Sequence, residues 1–92
     1  MQIHEVNNYR KFNIKYLGPT THRGARVKIT EPARYNTDTD KSVTLSSNGN
    51  DCGQQGLEYL ISKGFKPVAR CSEFSCYTIL CDNWGEDFIE LT

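Results

Sequence analysis

The sequence predicts a single α+β domain in which one helix packs on a mostly antiparallel sheet of five or six strands. Its 92 residues suffice for one domain with a modest core. Short segments of alternating polar and apolar residues recur along the chain, and one segment has helical periodicity. All but one of the links between strands are too short for a crossover, which favours antiparallel neighbours in the order β-β-β-α-β-β.

Three segments in the first half of the chain alternate between polar and apolar positions, and we predict them to be strands: residues 11–17, 25–30 and 42–46. In the first of them, Phe12 and Ile14 share one face. Gly18-Pro19 ends this strand with turn chemistry. The polar segment 33–40 is predicted to be a loop.

The helix is predicted to begin after Asp51, a suitable N-cap, with Gln54 as the second member of a capping box. One face of the helix carries apolar side chains from Leu57, Leu60 and Ile61. Gly64 is a good helix stop, and Phe65 follows at a position that often packs back on the last turn.

The last part of the chain contains two further predicted strands, residues 65–71 and 76–82, and a possible short strand at 88–91. We find no repeat or linker, so residues 1–92 are expected to form one domain. No run approaches the roughly 20 apolar residues of a membrane span, and the first five residues lack the pattern of a signal peptide. We therefore expect a cytoplasmic protein with no membrane partner.

The four cysteines, at positions 52, 71, 76 and 81, contain no Cys-x-x-Cys pair. We expect free thiols that pack as small apolar groups, with no metal or other cofactor; a metal site or a disulfide is the alternative. His4 and His22 stand apart from any nucleophile motif. We therefore expect no enzymatic activity.

The formal net charge is zero, but basic and acidic residues are concentrated in different parts of the sequence. Residues 1–35 contain seven basic and two acidic side chains, and residues 36–92 contain four basic and nine acidic ones. Such a split suggests that one part of the chain attracts polyanions and the other attracts basic surfaces.

The strongest candidate site lies in the basic half. If the first two strands form a hairpin, Lys15, Arg26 and Lys28 share one face of the sheet, as phosphate binding requires. The remaining candidates flank that face or add contacts to bases, and they are Arg10, Lys11, Arg23 and Arg34 with Asn13, His22 and Tyr35. The alternative is that outward charges serve only solubility and protection of a sheet edge.

The acidic segment 82–90 offers a second candidate, which engages a basic protein groove or imitates phosphates; the alternative is a solvated tail. Trp84 in this segment is either an interface anchor or a side chain that folds onto the core.

The runs KYLGPT at 15–20 and RGARVKI at 23–29 resemble a pattern in small bacterial and phage proteins. In size and character the chain also resembles phage-encoded anti-CRISPR proteins. That resemblance implies a non-enzymatic inhibitor, in the host bacterial cytoplasm, that docks on an RNA-guided CRISPR effector ribonucleoprotein and blocks recognition of target DNA. Its partners would be protein subunits and guide RNA, with no small-molecule substrate. The alternative is an autonomous protein that binds RNA or single-stranded DNA.

Overall fold

The computed structural model describes residues 9–22, 24–33, 40–49, 51–73, 76–83 and 91. The strands are β1 (Arg10–Leu17), β2 (Arg26–Glu31), β3 (Lys41–Ser46), β4 (Pro67–Glu73) and β5 (Cys76–Cys81), and the helix α1 (Cys52–Ser62) lies between β3 and β4. The strands form one sheet in the order β3-β2-β1-β5-β4, and every neighbouring pair is antiparallel. The predicted fold class and element order are confirmed. The possible strand at 88–91 lies outside the described residues except for Leu91.

The core lies between α1 and one face of the sheet. Alternate residues of the three central strands point into it, as Phe12 and Ile14 do in β1. Seven further apolar residues are buried in the same cluster: Val27, Ile29, Leu60, Phe65, Ile79, Cys81 and Leu91. Because one face of the sheet supplies most of this cluster, the side chains between these positions lie on the opposite face.

Two glycines let α1 approach the sheet closely. A methyl group added at Gly56 would overlap the side chain of Ile14, and one added at Gly53 would lie 2.7 Å from the ring of Tyr77. Both positions are therefore occupied by the one residue that has no Cβ. The helix rests directly on β1 and β5.

Asp51 caps the N-terminus of α1, as the sequence predicts. Its Oδ2 accepts a hydrogen bond from the backbone N–H of Gln54 at 3.2 Å. The predicted capping box is only half formed: among the described residues the N–H of Asp51 makes no bond to the Gln54 side chain, whose NH₂ donates to Glu58. Asp51 also accepts from the hydroxyl of Tyr77 at 2.7 Å and from Arg70 at 3.2 Å. This residue therefore joins the helix start to both strands of the β4–β5 hairpin.

The C-terminus of α1 ends on Gly64, which has a φ of +97°. The N–H of Phe65 donates to the carbonyl of Leu60 at 3.0 Å, and that of Gly64 donates to Ile61 at 3.1 Å, which is the Schellman arrangement. This cap turns the ring of Phe65 into the core, so β4 begins at Pro67, two residues later than the sequence predicts.

Within the described residues, no helix has the length and apolar character needed to cross a membrane.

Candidate functional site

The face of the sheet opposite α1 carries four cationic side chains on its central strands. The register of the β1–β2 hairpin places Lys15 directly opposite Lys28 and Leu17 opposite Arg26. Lys11 lies four residues before Lys15 and therefore on the same side of β1. We call Lys11, Lys15, Arg26 and Lys28 together the basic face. The hairpin that the prediction required is present, and Lys15, Arg26 and Lys28 share one side of it.

The basic face contains an arrangement that does not favour folding. Lys15 and Lys28 are both exposed and are register partners. Like charges that lie directly opposite each other destabilise an antiparallel pair, by a few tenths of a kcal/mol to about 1 kcal/mol. A sheet surface that served only solubility would not require two ammonium groups at this pair of positions.

The charges of the basic face are not used inside the protein. Among the described residues, the ion pairs join Arg10 to Glu31 and Arg70 to Asp51, and neither involves the basic face. The Nε of Arg26 is shielded from water and has no hydrogen-bond acceptor in the described part of the chain. No carboxylate among the described residues therefore neutralises these four cations, and the three exposed lysines can contact a negatively charged partner directly.

Asn13 lies in the middle of the basic face, between Lys11 and Lys15 on β1. The hydroxyl of Thr78, on the neighbouring strand β5, donates to its Oδ1 at 3.3 Å. Within the described residues the amide NH₂ of Asn13 has no acceptor, so it can donate to a ligand. The contact with bases that the sequence suggests for Asn13 stays a prediction.

Arg10 is a correction to the sequence analysis, because it does not flank the basic face. Arg10 lies two residues before Phe12, and because side chains alternate along a strand, it points to the core side of β1 as Phe12 does. Its Nε and Nη2 donate to the two carboxylate oxygens of Glu31 at 2.7 and 2.8 Å, and both residues are buried. Its guanidinium also lies 4.8 Å from the centroid of the Phe65 ring. This burial removes Arg10 from the candidate site.

The other candidate residues are placed only in part. His22 is exposed in the connection between β1 and β2. Arg23, Arg34 and Tyr35 lie outside the described residues, so their contribution stays a prediction. Of the acidic segment 82–90, only the first two residues are described, and Trp84 is not among them.

Sequence reasoning missed the neighbours of the basic face on the other strands. Thr44 of β3 lies opposite Lys28, and Thr78 of β5 lies opposite Asn13. The polar positions of each strand are visible in the sequence, but the pairing of β1 with β5 joins segments more than 60 residues apart. Strand alternation alone gives no signal for such a pairing.

The thiols are free in this structure, and their surroundings differ. Burial raises the pKa of the Cys81 thiol to about 12, which keeps it protonated and inert. Cys76 lies opposite Lys15 on the side of the basic face, so Cys76 and Cys81 point to opposite faces of β5 as predicted. Among the described residues, no three His, Cys, Asp or Glu side chains lie close enough together to hold a metal ion.

Comparison of the chain with protein-family models, curated proteins and solved structures finds no match.

Proposed function

We propose that this protein is a non-enzymatic binding protein whose basic face binds the phosphates of a nucleic acid. The observation that carries the proposal is the pairing of Lys15 with Lys28, flanked by Arg26, with no carboxylate partner among the described residues. Phosphate oxygens are the acceptors that such a group of cations favours. A bound phosphate between Lys15 and Lys28 would replace their mutual repulsion with two attractive contacts.

The size of the basic face sets the expected salt dependence. Each cation that neutralises a phosphate of a single strand contributes about −0.7 to the slope of log affinity against log salt concentration. Four cations therefore predict a slope of about −2.8 for a single-stranded oligonucleotide. This value is a minimum if cations outside the described residues also take part.

The test is fluorescence-anisotropy titration of a labelled oligothymidylate at several salt concentrations. The double variant Lys15→Gln/Lys28→Gln is expected to weaken binding and to reduce the slope by about 1.4. Its thermal stability should equal or exceed that of the natural protein, because the substitution removes a like-charge pair. Loss of binding would then not be explained by unfolding.

Lys63→Gln provides the matched control, because Lys63 is an exposed cation at the end of α1 and not on the basic face. This variant loses one positive charge and should bind nearly as the natural protein does. Equal weakening by Lys63→Gln and by either single variant of the pair would show that only net charge matters, and it would refute the proposal.

A narrower form of the proposal follows from the resemblance to anti-CRISPR proteins. In that form the nucleic acid is the guide RNA of an effector complex, and binding blocks recognition of target DNA. The assembled ribonucleoprotein should then bind far more tightly than the free guide RNA does. Similar affinities for the two would favour the autonomous nucleic-acid-binding protein instead.

A further inference from the structure

We infer that a cleft beside Lys11, at one end of the basic face, holds an unpaired base of the bound strand, stacked on the ring of Tyr9. The inference rests on the proposed function and specifies its ligand. That ligand is a single-stranded nucleic acid whose phosphates lie on the basic face and one of whose bases enters the cleft.

The cleft lies where β1 begins and β2 has just ended. It has a volume of about 410 Å³ and is lined by Tyr9, Lys11, Pro32 and Ala33. Tyr9 precedes the first residue of β1, and Pro32 follows the last residue of β2. Because Lys11 belongs to the basic face and also lines the cleft, the cleft and the basic face form one continuous surface.

The residues that line the cleft suit a nucleotide. An aromatic ring offers every base a surface on which to stack, whatever the sequence. The half-buried Tyr9 supplies such a ring, and Pro32 adds a rigid apolar one. Lys11 adds an exposed ammonium group, which can pair with the phosphate of the same nucleotide. The cleft therefore combines a stacking surface for the base with a cation for the backbone.

The volume of the cleft limits its occupant to about one nucleotide. Clefts that hold small ligands measure roughly 300–1,000 Å³, and this one lies near the lower end of that range. The strand can then continue along β1 from Lys11 to Lys15, a distance of about 13 Å, with Lys28 on the adjacent strand. A base in a duplex would have to leave its stack to enter the cleft. The arrangement therefore favours a single strand over a duplex.

The experiment compares two probes in the same anisotropy titration, an oligothymidylate of about 12 nucleotides and an abasic deoxyribose-phosphate strand of equal length. Loss of one stacked base costs a factor of about 5 to 150 in affinity. The natural protein should therefore bind the oligothymidylate at least about fivefold tighter than the abasic strand.

Tyr9→Ala should remove this preference by weakening the binding of the oligothymidylate alone. The affinity for the abasic strand and the slope of log affinity against log salt concentration should stay unchanged, because stacking neutralises no phosphate. Unchanged binding of the abasic strand also shows that the variant keeps a folded basic face. Tyr9→Leu, which keeps an apolar side chain without a ring, takes its place if the alanine variant unfolds.

Two further variants serve as controls. Tyr9→Phe keeps the ring and should keep the preference for the oligothymidylate. Tyr16→Ala removes another exposed tyrosine of β1, which points to the opposite side of the sheet from the basic face, and it should leave both affinities unchanged.

The outcomes separate this inference from the proposed function. Three results would overturn the inference: affinities for the two probes within about fivefold, a preference that survives removal of the Tyr9 ring, or equal weakening of both probes by a folded Tyr9 variant. The proposed function stands in each case if Lys15→Gln/Lys28→Gln weakens binding. Failure to bind either probe at low salt, or binding that this lysine variant leaves unchanged, refutes both. A preference that only removal of the ring abolishes, with both probes weakened by the lysine variant, supports both.

Discussion

Glu31→Gln tests whether the buried ion pair with Arg10 supports the fold. The guanidinium and the carboxylate form two parallel hydrogen bonds of 2.7 and 2.8 Å, and their side chains are 9% and 11% exposed. The glutamine side chain is nearly isosteric but uncharged. The substitution therefore leaves a buried guanidinium without its counter-charge.

The expected loss is large relative to the total stability. Removing one partner of a buried pair destabilises a protein by about 3–5 kcal/mol. A domain of 92 residues has a free energy of unfolding of about 5–14 kcal/mol. Because the amide oxygen of the introduced glutamine can still accept one hydrogen bond, we expect the lower end, about 3 kcal/mol, or a fall in Tm of about 12–24 °C.

The assay is urea denaturation followed by circular dichroism. Glu58→Gln is the matched control, because Glu58 is exposed on α1 and should change stability by no more than about 0.5 kcal/mol. In the double variant Arg10→Met/Glu31→Leu both charges are replaced by apolar groups, and the free energy of unfolding should recover to within about 1 kcal/mol of the natural protein.

A loss below about 1 kcal/mol for Glu31→Gln would refute this reasoning, because it would show that the pair behaves as an exposed one. Further loss in the double variant would also contradict it. That result would mean that the fold requires the charges themselves.

Two further predictions concern the packing and capping of α1. Gly56→Ala should destabilise the protein by about 1–3 kcal/mol in the same urea assay, because the added methyl group overlaps the side chain of Ile14. Alanine is the better helix former, so unchanged or increased stability would contradict the close approach of α1 to the sheet. The pKa of Asp51 is lowered chiefly by the hydrogen bond from Tyr77. The ionised carboxylate therefore stabilises the fold at pH values above its unfolded pKa of about 4. This contribution is lost as the pH falls through the lowered pKa of the folded state. Tyr77→Phe should flatten this acid dependence of Tm, and an unchanged profile would show that the bond does not couple to folding.

Most of the fold follows from local patterns in the sequence. Strict alternation gives β1, β2 and β3, and Asp51 and Gly64 mark the ends of the only helix in the described residues. The order of the strands does not follow, because the pairing of β1 with β5 is a non-local contact that the hairpin rule does not reach. The paired residues Ile14 of β1 and Tyr77 of β5 both pack under α1, at Gly56 and Gly53 respectively.

The candidate site is predictable where it depends on one hairpin. Lys15, Arg26 and Lys28 fall on one face because alternation and antiparallel pairing both operate over short distances. A count of charges alone misplaces Arg10, because this residue lies two positions before Phe12 and therefore on the same face of the strand. Its partner Glu31 is 21 residues away in the sequence. The β1–β2 register brings Arg10 and Glu31 together on the core side, and it pairs Lys15 with Lys28 on the opposite side.

The two faces of the β1–β2 hairpin thus use positive charge in opposite ways. On the core side, Arg10 has a planar side chain that satisfies a carboxylate with two bonds and still packs on Phe65, so burial is compatible with its charge. On the other side, Lys15 and Lys28 have compact, hydrated ammonium groups that oppose each other and have no acidic partner among the described residues. Segregation of charge along the sequence therefore does not translate directly into a charged surface. Strand parity decides which cations stabilise the fold and which remain free to bind a partner.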